Sequence, residues 1–181
     1  MSYHIRQAQS DEATAVADLA TQTFPMACPP SLSEHDMRAY IDAHLTARHF
    51  EAHIAHPERD VLVAYDETHL LGYVLLFFGP DAAPAPELGV TLATSGLLSK
   101  CYVRRECHGK GVAAALLDAA GRRAVEQGVE GLWLNVNYDN HRAQRFYAKH
   151  GWECVGYVDF VVGEAVHRDP VYQKRVVAST S

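Results

Sequence analysis

The stretch Val103-Arg-Arg-Glu-Cys-His-Gly-Lys-Gly-Val-Ala113 joins two segments of different character. Residues 97–103 form a mostly apolar run typical of a strand, and residues 112–124 are rich in strong helix formers. Gly109 and Gly111 permit a tight turn between them. A strand, a glycine turn and a helix bring unpaired backbone N–H groups to one spot, where the helix adds partial positive charge. The stretch therefore predicts a site for an anionic group, most often a phosphate.

Two other phosphate-binding motifs do not fit this turn. A Walker loop requires Ser or Thr after its Gly-Lys pair, whereas Val112 follows Gly111 here. The dinucleotide motif GxGxxG would need a third glycine where the chain has Ala114. The turn alone is also typical of close packing between a strand and a helix, so both interpretations stay open on these residues.

A second motif lies downstream of the turn. Leu134-Asn-Val136 is followed by Asn140, Ala143, Phe146-Tyr147 and Gly151-Trp152. This spacing resembles L-x-V-x-x-x-N-x-x-A-x-x-F/L-Y-x-x-x-G-F/W of the GNAT family of N-acetyltransferases, and His108–Ala113 resembles the Q/R-x-x-G-x-G/A signature of the same family. The two motifs follow the family's order and separation. His108 is a departure, because the family usually has Gln or Arg there.

The resemblance implies that acetyl-CoA is the donor substrate and that the amides of the turn hold its pyrophosphate. It also implies that Tyr147 protonates the leaving CoA thiolate. The residues implied to contact the donor are Cys101, Val103, His108, Gly109, Lys110, Gly111, Val112, Ala113 and Asn140. From spacing alone, the leading interpretation of Tyr147 is an aromatic residue packed beside Phe146. Asn140 also fits a helix N-cap, and this role is compatible with a donor contact.

The basic and thiol side chains near the turn allow more than one role. Arg104, Arg105 and Lys110 are candidates to meet the phosphates of CoA, or they form a solvated basic rim. A cysteine nucleophile would need a nearby base and a lowered pKa. We expect Cys101 and Cys107 to be structural thiols, and the amine to attack the thioester directly in a ternary complex.

The C-terminal half resembles the bacterial spermidine/polyamine acetyltransferase branch of the family. The resembling residues are Gly151–Phe160, Gly163, Asp169 and Lys174. That branch has a glutamate on its fourth strand, where this chain has Ser99. Serine is not a carboxylate base, so the polyamine specificity and the general base both stay open. Candidates for the base are Glu34, His35, Asp36, Asp159 and water, although each of these side chains is also a typical surface or capping residue.

Composition limits the class of protein. The chain has 181 residues, 48% of them hydrophobic, and a net charge of −6. This length predicts a single domain over residues 1–181. The lack of a basic run argues against nucleic acid as a partner, and no apolar stretch is long enough to span a membrane. No signal peptide, CxxC pair or HExxH motif is present, which predicts a cytoplasmic protein without a metal.

The pattern of elements predicts an α/β (α+β) fold. We expect a mixed, mostly antiparallel central sheet of about seven strands, with helices on both faces and one βαβ crossover at the glycine turn. Helices are predicted over residues 11–23, 33–45, 48–55, 112–124 and 140–150. Strands are predicted over residues 3–6, 60–64, 70–78, 91–103, 131–136, 152–162 and 171–177. Ser10 is the expected cap of the first helix.

These observations favour an enzyme that moves an acetyl group from acetyl-CoA to a primary amine, with a polyamine or another small amine as acceptor. Alternative acceptors are a peptide N-terminus and an amine antibiotic. A non-catalytic acyl-CoA-binding regulator is a different class, favoured by Ser99. A homodimer is a further option. The stiff, apolar segment Phe24–Pro30 either lines the acceptor site or covers the core.

Overall fold

The computed structural model describes residues 2–162 and 165–176. Its strands are β1 (His4–Gln7), β2 (Arg59–Tyr65), β3 (Leu70–Phe77), β4 (Ser95–Val103), β5 (Gly131–Asn135), β6 (Glu153–Val162) and β7 (Ala165–Arg175). Its α-helices are α1 (Ala13–Thr23), α2 (Glu34–His44), α3 (Ala47–Ala55), α4 (Val112–Glu126) and α5 (His141–Lys149). Short 3₁₀ turns connect several of them.

The strands form one seven-stranded sheet in the order β1-β2-β3-β4-β5-β7-β6. Antiparallel pairing joins β1 with β2, β2 with β3, β5 with β7, and β6 with β7. Strands β4 and β5 run parallel, with Ser95 opposite Gly131 and Leu97 opposite Trp133. A parallel pair needs a crossover, and α4 supplies it. The predicted mixed, mostly antiparallel sheet with one βαβ unit is therefore confirmed.

The chain divides into two compact units. The first comprises Met1–Phe77 and Ser99–Ala120. Gly72 and Tyr73 are neighbours on β3, so their side-chain positions face opposite sides of the sheet. A Cβ at Gly72 would lie 3.1 Å from Leu116 of α4, whereas the ring of Tyr73 meets that of Phe50 of α3 edge-on at 5.6 Å. Helices therefore cover both faces of the sheet in this unit, as predicted.

The second unit comprises Phe78–Leu98 and Gly121–Ser181. Trp133 of β5 packs in its core with Leu88 and Val171, and the indole Nε1 donates a hydrogen bond to the Ala82 carbonyl at 2.7 Å. That bond ties the Pro/Ala-rich stretch 79–89 to the core, where Ala82 is buried. The prediction of a single domain stays a prediction.

Several boundaries differ from the sequence prediction. The carboxylate of Glu12, rather than Ser10, closes the turn before α1 by accepting from the Gln9 amide. Strand β4 begins at Ser95 and β7 begins at Ala165, six residues before the predicted Val171. The added part of β7 contains His167, Arg168 and Asp169 paired with β6, and such polar residues do not resemble an apolar strand. Gly163 and Val177 lie outside the described residues.

Candidate active site

Glycine allows the backbone of the turn before α4 to reverse. Gly109 has φ +77° and Gly111 has φ +83°, both in the left-handed region that favours glycine. A Cβ built on Gly109 would meet no atom within 4 Å, and one on Gly111 would have only the Tyr3 hydroxyl at 3.7 Å. Protein atoms therefore leave space beside both residues. The glycines serve the backbone conformation and leave room for a ligand.

Several backbone N–H donors of the turn and of the first turn of α4 are unused. The first intrahelical bond runs from the Ala115 amide to the Gly111 carbonyl at 3.0 Å. Within residues 2–162 and 165–176, no acceptor is found for the amides of Gly109, Gly111, Val112, Ala113 and Ala114. Gly109, Lys110 and Gly111 are solvent-exposed. A 15-residue helix thus presents its positive end, with several N–H groups free to bind an anion.

Two side chains hold the turn in place, one from the turn itself and one from the N-terminal residues. The Nε2 atom of His108 lies 3.1 Å from the Val103 carbonyl, which accepts a hydrogen bond when that nitrogen is protonated. The Tyr3 hydroxyl donates to the Gly111 carbonyl at 3.2 Å. His108 therefore acts as a tie between the turn and the last residue of β4, a role that a Gln or Arg side chain is also able to perform.

Arg104 is fixed at the start of the turn. Its Nε donates to the Leu70 carbonyl at 2.6 Å and its Nη1 to Oε1 of Gln22 at 2.5 Å. Its backbone amide donates to the Leu71 carbonyl at 2.8 Å. Arg104 is half-buried, so it does not belong to a fully solvated rim, whereas Arg105 and Lys110 are exposed.

A cleft of about 270 Å³ lies beside these arginines in the first unit. It is lined by Gln22, Thr23, Pro25, Met26, Arg104, Arg105 and Glu106. Pro25 and Met26 belong to the short 3₁₀ helix Phe24–Ala27. The volume is near the low end for ligand pockets, roughly 300 Å³, and suits a small group. Part of the segment 24–30 therefore does border a cleft.

Phe24 points elsewhere and belongs to an aromatic cluster. Its ring stacks on that of Tyr40 at 4.6 Å, with an angle of 8° between the planes. Lys100 of β4 donates from Nζ to the Tyr40 hydroxyl at 3.2 Å. Deeper in this unit, the Tyr73 hydroxyl is fully buried and has no partner among the described residues, and burial raises its pKa. Met26 therefore lines the cleft, whereas Phe24 packs against Tyr40.

Asn140 caps α5 in the second unit. Its Oδ1 accepts from the Ala143 amide at 3.1 Å, which is the usual N-cap bond. The preceding turn is also satisfied, since Oδ1 of Asn137 accepts from the Asp139 amide at 2.8 Å. Strand β5 ends at Asn135, so Asn137 belongs to the turn before α5 and not to the strand.

Tyr147 lies on α5 within an aromatic cluster. Its ring centroid is 5.6 Å from that of Phe146, 5.6 Å from that of Trp152 and 6.2 Å from that of Tyr172. The side chain is 8% exposed, so it is buried but not sealed from solvent. This packing supports the ring in one orientation, which is compatible with both predicted roles.

The family comparisons agree with this geometry. The model of the Acetyltransferase (GNAT) family matches residues 15–152. The chain belongs to the GNAT acetyltransferase family. An uncharacterized N-acetyltransferase of Mycobacterium bovis is 34% identical over 166 residues, spanning 92% of this chain and 99% of the relative, and one of Mycobacterium tuberculosis matches equally. The chain is thus an acetyl-CoA-dependent N-acetyltransferase.

Solved structures share the fold at low sequence identity. The PaiA N-acetyltransferase of Thermoplasma acidophilum, solved with coenzyme A, has a TM-score of 0.77 and 18% identity, covering 97% of this chain and 99% of its own. A GNAT acetyltransferase of Streptococcus pneumoniae has a TM-score of 0.69 and 20% identity, covering 97% and 100%. These similarities show the GNAT fold and leave the acceptor undetermined.

The structure distributes the predicted GNAT site residues over the two units. Cys101, Val103 and the turn His108–Ala113 belong to the first unit, where the turn residues surround the free amides. Asn140 and Tyr147 belong to the second. Their individual roles stay predictions.

The candidates for the general base all lie on the surface. Glu34, His35 and Asp36 are exposed at the start of α2, where the Ser33 side chain accepts from the Asp36 amide at 3.0 Å. Asp159 is exposed and pairs with Arg168 at 3.4 Å. They therefore act as capping or surface residues, as the sequence allowed. In the described part of the chain, no group of His, Cys, Asp and Glu is arranged to hold a metal, and no helix is long and apolar enough to cross a membrane.

Sequence reasoning missed three contributors to this region. Tyr3 bonds to Gly111 in the turn, Gln22 accepts from Arg104, and Lys100 donates to Tyr40. Each of these hydrogen bonds joins residues at least 60 positions apart in the sequence. Each is an ordinary polar residue in its own stretch of sequence. No local pattern identifies such contacts, because they arise only when the strands and helices pack.

Proposed function

We propose that this enzyme transfers the acetyl group of acetyl-CoA to a primary amine of a small molecule by direct attack in a ternary complex. The observation that carries the proposal is the start of α4, where five backbone amides have no acceptor among the described residues and two left-handed glycines leave open space beside them. This arrangement suits the pyrophosphate of acetyl-CoA, which needs N–H donors and close backbone approach.

The donor would be held mainly by the backbone. Residues His108–Ala113 would bind the pyrophosphate, and Cys101 and Val103 would lie along the pantetheine arm on β4. Lys110, exposed beside the free amides, adds a positive charge for the phosphates. The Nδ2 group of Asn140 would donate to a pantetheine carbonyl while its Oδ1 keeps the helix cap.

The chemistry moves one acetyl group and releases protons from the amine. A neutral amine nitrogen forms a bond to the carbonyl carbon, and the bond from that carbon to sulfur breaks. The substrate ammonium first loses one proton to solvent or a base to give the neutral amine, and the nitrogen loses a second proton to solvent or a base as the amide forms. The carbonyl oxygen that gains negative charge would accept from a backbone N–H group near Val103. The Arg104 amide is not that donor, because it already donates to the Leu71 carbonyl. Tyr147 would donate its hydroxyl proton to the CoA thiolate and regain a proton from solvent.

The cysteine thiols do not suit an acetyl-cysteine route. Burial raises the pKa of Cys101 to about 12, and burial is also the main cause that raises the pKa of Cys107. A thiol is nucleophilic as its thiolate, so both groups are poorly prepared to attack a thioester at neutral pH. Direct attack predicts intersecting lines in initial-rate plots and no acetyl adduct on the protein after incubation with acetyl-CoA alone. Parallel lines and a stable adduct would overturn this part of the proposal.

The acceptor is proposed to be a polyamine or another small amine. A peptide N-terminus and an amine antibiotic are alternative acceptors. A non-catalytic acyl-CoA-binding regulator is favoured only by Ser99 in place of a glutamate. A CoA-thiol release assay over diamines, polyamines, amino acids, peptides and aminoglycosides tests all of these. Acetyl-CoA binding without release of CoA in any mixture would support the regulator instead.

The segment Phe24–Pro30 is proposed to help select the amine. Met26 lines the cleft, whereas Phe24 stacks on Tyr40. Met26→Ala should therefore change kcat/KM between amines by unequal factors, with an unchanged KM for acetyl-CoA. Phe24→Ala removes an aromatic contact and should chiefly lower the melting temperature. Uniform losses across all amines in both variants would show that the segment only covers the core.

The cellular setting follows as a proposal from the same sequence features. We expect a cytoplasmic enzyme that acts on small molecules, without a metal and without nucleic acid or membrane partners. A homodimer is compatible with it, and size-exclusion chromatography with light scattering tests that assembly.

A further inference from the structure

The charge beside the glycine turn is opposite to that of the whole chain. The chain carries a net charge of −6, but residues 104–110 contain three cationic side chains, Arg104, Arg105 and Lys110, against the single carboxylate of Glu106. Two of these cations line the cleft, together with Glu106. A cationic wall in an anionic protein is not explained by solubility, because solubility requires no local reversal of sign.

Arg104 is positioned before any ligand arrives. Two neutral oxygens, from Leu70 and Gln22, fix its guanidinium. In the described part of the chain, no carboxylate forms an ion pair with Arg104 or Arg105. A guanidinium has five N–H donors, so Arg104 keeps several after these two bonds. A fixed, unpaired guanidinium is suited to bind a carboxylate or a similar planar anion.

The rest of the lining offers few competing polar groups. The Thr23 hydroxyl already donates to the Leu19 carbonyl at 2.8 Å, and the Gln22 carbonyl oxygen accepts from Arg104. Pro25 and Met26 contribute apolar surface. The donors available in the cleft therefore include those of the two arginines and the Nε2 group of Gln22, which distinguishes it from a site built for a polycation.

We propose that this cleft binds an anionic group of the acceptor, so that the acetylated amine belongs to a molecule that also carries a carboxylate. This inference rests on the proposed function and narrows its acceptor class to amino-carboxylates. It disfavours linear polyamines, because each additional ammonium group would lie against Arg104 and Arg105. Glu106 reduces the anion preference, and the volume of about 270 Å³ limits the cleft to a small anionic group.

The test compares matched acceptors in matched variants. The probes are 4-aminobutyrate and 6-aminohexanoate, each with its primary amide and with the diamine of equal length. Wild-type kcat/KM should be highest for the carboxylates. Arg105→Gln should reduce the ratio of carboxylate to amide by roughly tenfold to a hundredfold, as for one charge-assisted contact. Glu106→Gln should raise the same ratio, because it removes the opposing charge.

A control variant distinguishes a direct contact in the cleft from the effect of the protein's overall charge. Arg122→Gln removes an exposed positive charge from α4, outside the cleft, and should leave the ratio within about twofold. Arg104→Gln is a second test, made with a melting curve because Arg104 also connects α1 to β3. Unchanged ratios in Arg105→Gln and Glu106→Gln, or shifts of the opposite sign, would overturn the proposal.

The phosphates of CoA are the alternative anionic groups. KM is compared for acetyl-CoA and 3′-dephospho-acetyl-CoA in the wild type and in Arg105→Gln. A loss of discrimination between these donors, with an unchanged carboxylate preference, would assign the arginines to the donor and overturn the acceptor proposal. Calorimetry with 6-aminohexanoate and its amide in the presence of CoA measures the preference without turnover. A carboxylate preference there, lost in Arg105→Gln, supports the cleft even if no amine is acetylated.

Discussion

The two helices α4 and α5 begin in opposite ways. Helix α4 follows two left-handed glycines, and the amides of its first turn have no acceptor in the described part of the chain. Helix α5 follows Asn137 and Asn140, whose side chains accept from the amides of Asp139 and Ala143. One helix start is open and exposed, and the other is closed by its own side chains.

The difference shows that one helix start is suited to ligand binding and the other to stabilising its own helix. An N-cap side chain stabilises a helix by roughly 0.5–2 kcal/mol, and a helix without one leaves its amides for another group. At α4 that group is proposed to be the donor's pyrophosphate. At α5 the cap instead stabilises a helix whose proposed contribution, Tyr147, lies near the other end. Binding should therefore depend on the start of α4 and turnover on the residues of α5.

The largest expected effect is that of Tyr147→Phe on turnover. The substitution removes one hydroxyl and keeps the ring against Trp152 and Tyr172. Loss of a general acid should lower kcat by roughly 10²–10⁴-fold. The Kd of acetyl-CoA, measured by calorimetry, should change little. Wild-type kcat in this variant, under conditions where chemistry limits the rate, would remove Tyr147 from the mechanism.

Gly111→Asp should have the next largest effect, on donor affinity. Aspartate adds a negative charge beside the free amides and places a side chain at φ +83°, which costs roughly 1–2 kcal/mol for a residue other than glycine. We expect the Kd of acetyl-CoA to rise by at least about a hundredfold, because the carboxylate repels the pyrophosphate and occupies space beside the free amides. The strain is present with and without ligand, so it should lower the melting temperature instead. Unchanged affinity by calorimetry would show that the donor binds elsewhere.

Asn140→Asp is the matched control for that carboxylate. Aspartate is as good an N-cap as asparagine, so the melting temperature should stay close to that of the wild type. A carboxylate at position 111 should therefore block the start of α4, whereas a carboxylate at position 140 should be compatible with the cap of α5. A rise in the KM of acetyl-CoA without loss of stability would support a contact between the Nδ2 group of Asn140 and the pantetheine arm.

Asn140→Ala should have a moderate effect on stability. It removes the bond to the Ala143 amide and should lower the free energy of unfolding by about 1 kcal/mol. For a chain of this size, that loss corresponds to roughly 2–4 °C in Tm. Thermal unfolding with and without acetyl-CoA measures it. A drop in affinity with no change in Tm would assign Asn140 to the ligand rather than to the cap.

The smallest expected effect belongs to His108. His108→Ala removes the bond from the imidazole to the Val103 carbonyl, which is worth roughly 0.5–1.5 kcal/mol. Donor affinity should fall about twofold to tenfold, because the turn loses a tie but keeps its amides. His108→Gln keeps a donor of similar reach and should restore most of the affinity. If Ala and Gln variants behave alike, the bond has no part in holding the turn.

Local sequence patterns predicted the elements that carry this site. The glycines at 109 and 111 and the helix-forming run after them were sufficient for a strand–turn–helix unit, because a left-handed backbone and helix propensity act over a few residues. Helix α2 begins after Ser33 as predicted, for the same local reason. Strand β7 was placed too late, because its polar first half lacks an apolar pattern.

Contacts between residues far apart in the sequence were visible only in the tertiary structure. The sequence by itself determined the open start of α4, the cap of α5 and the family of the enzyme, since each depends on residues close together in the chain. Only the folded chain brought Gln22 to Arg104 and Met26 to the same cleft as Arg105, across about 80 residues of sequence. Such pairings follow from the packing of α1 beside the ends of β3 and β4, which no local propensity encodes.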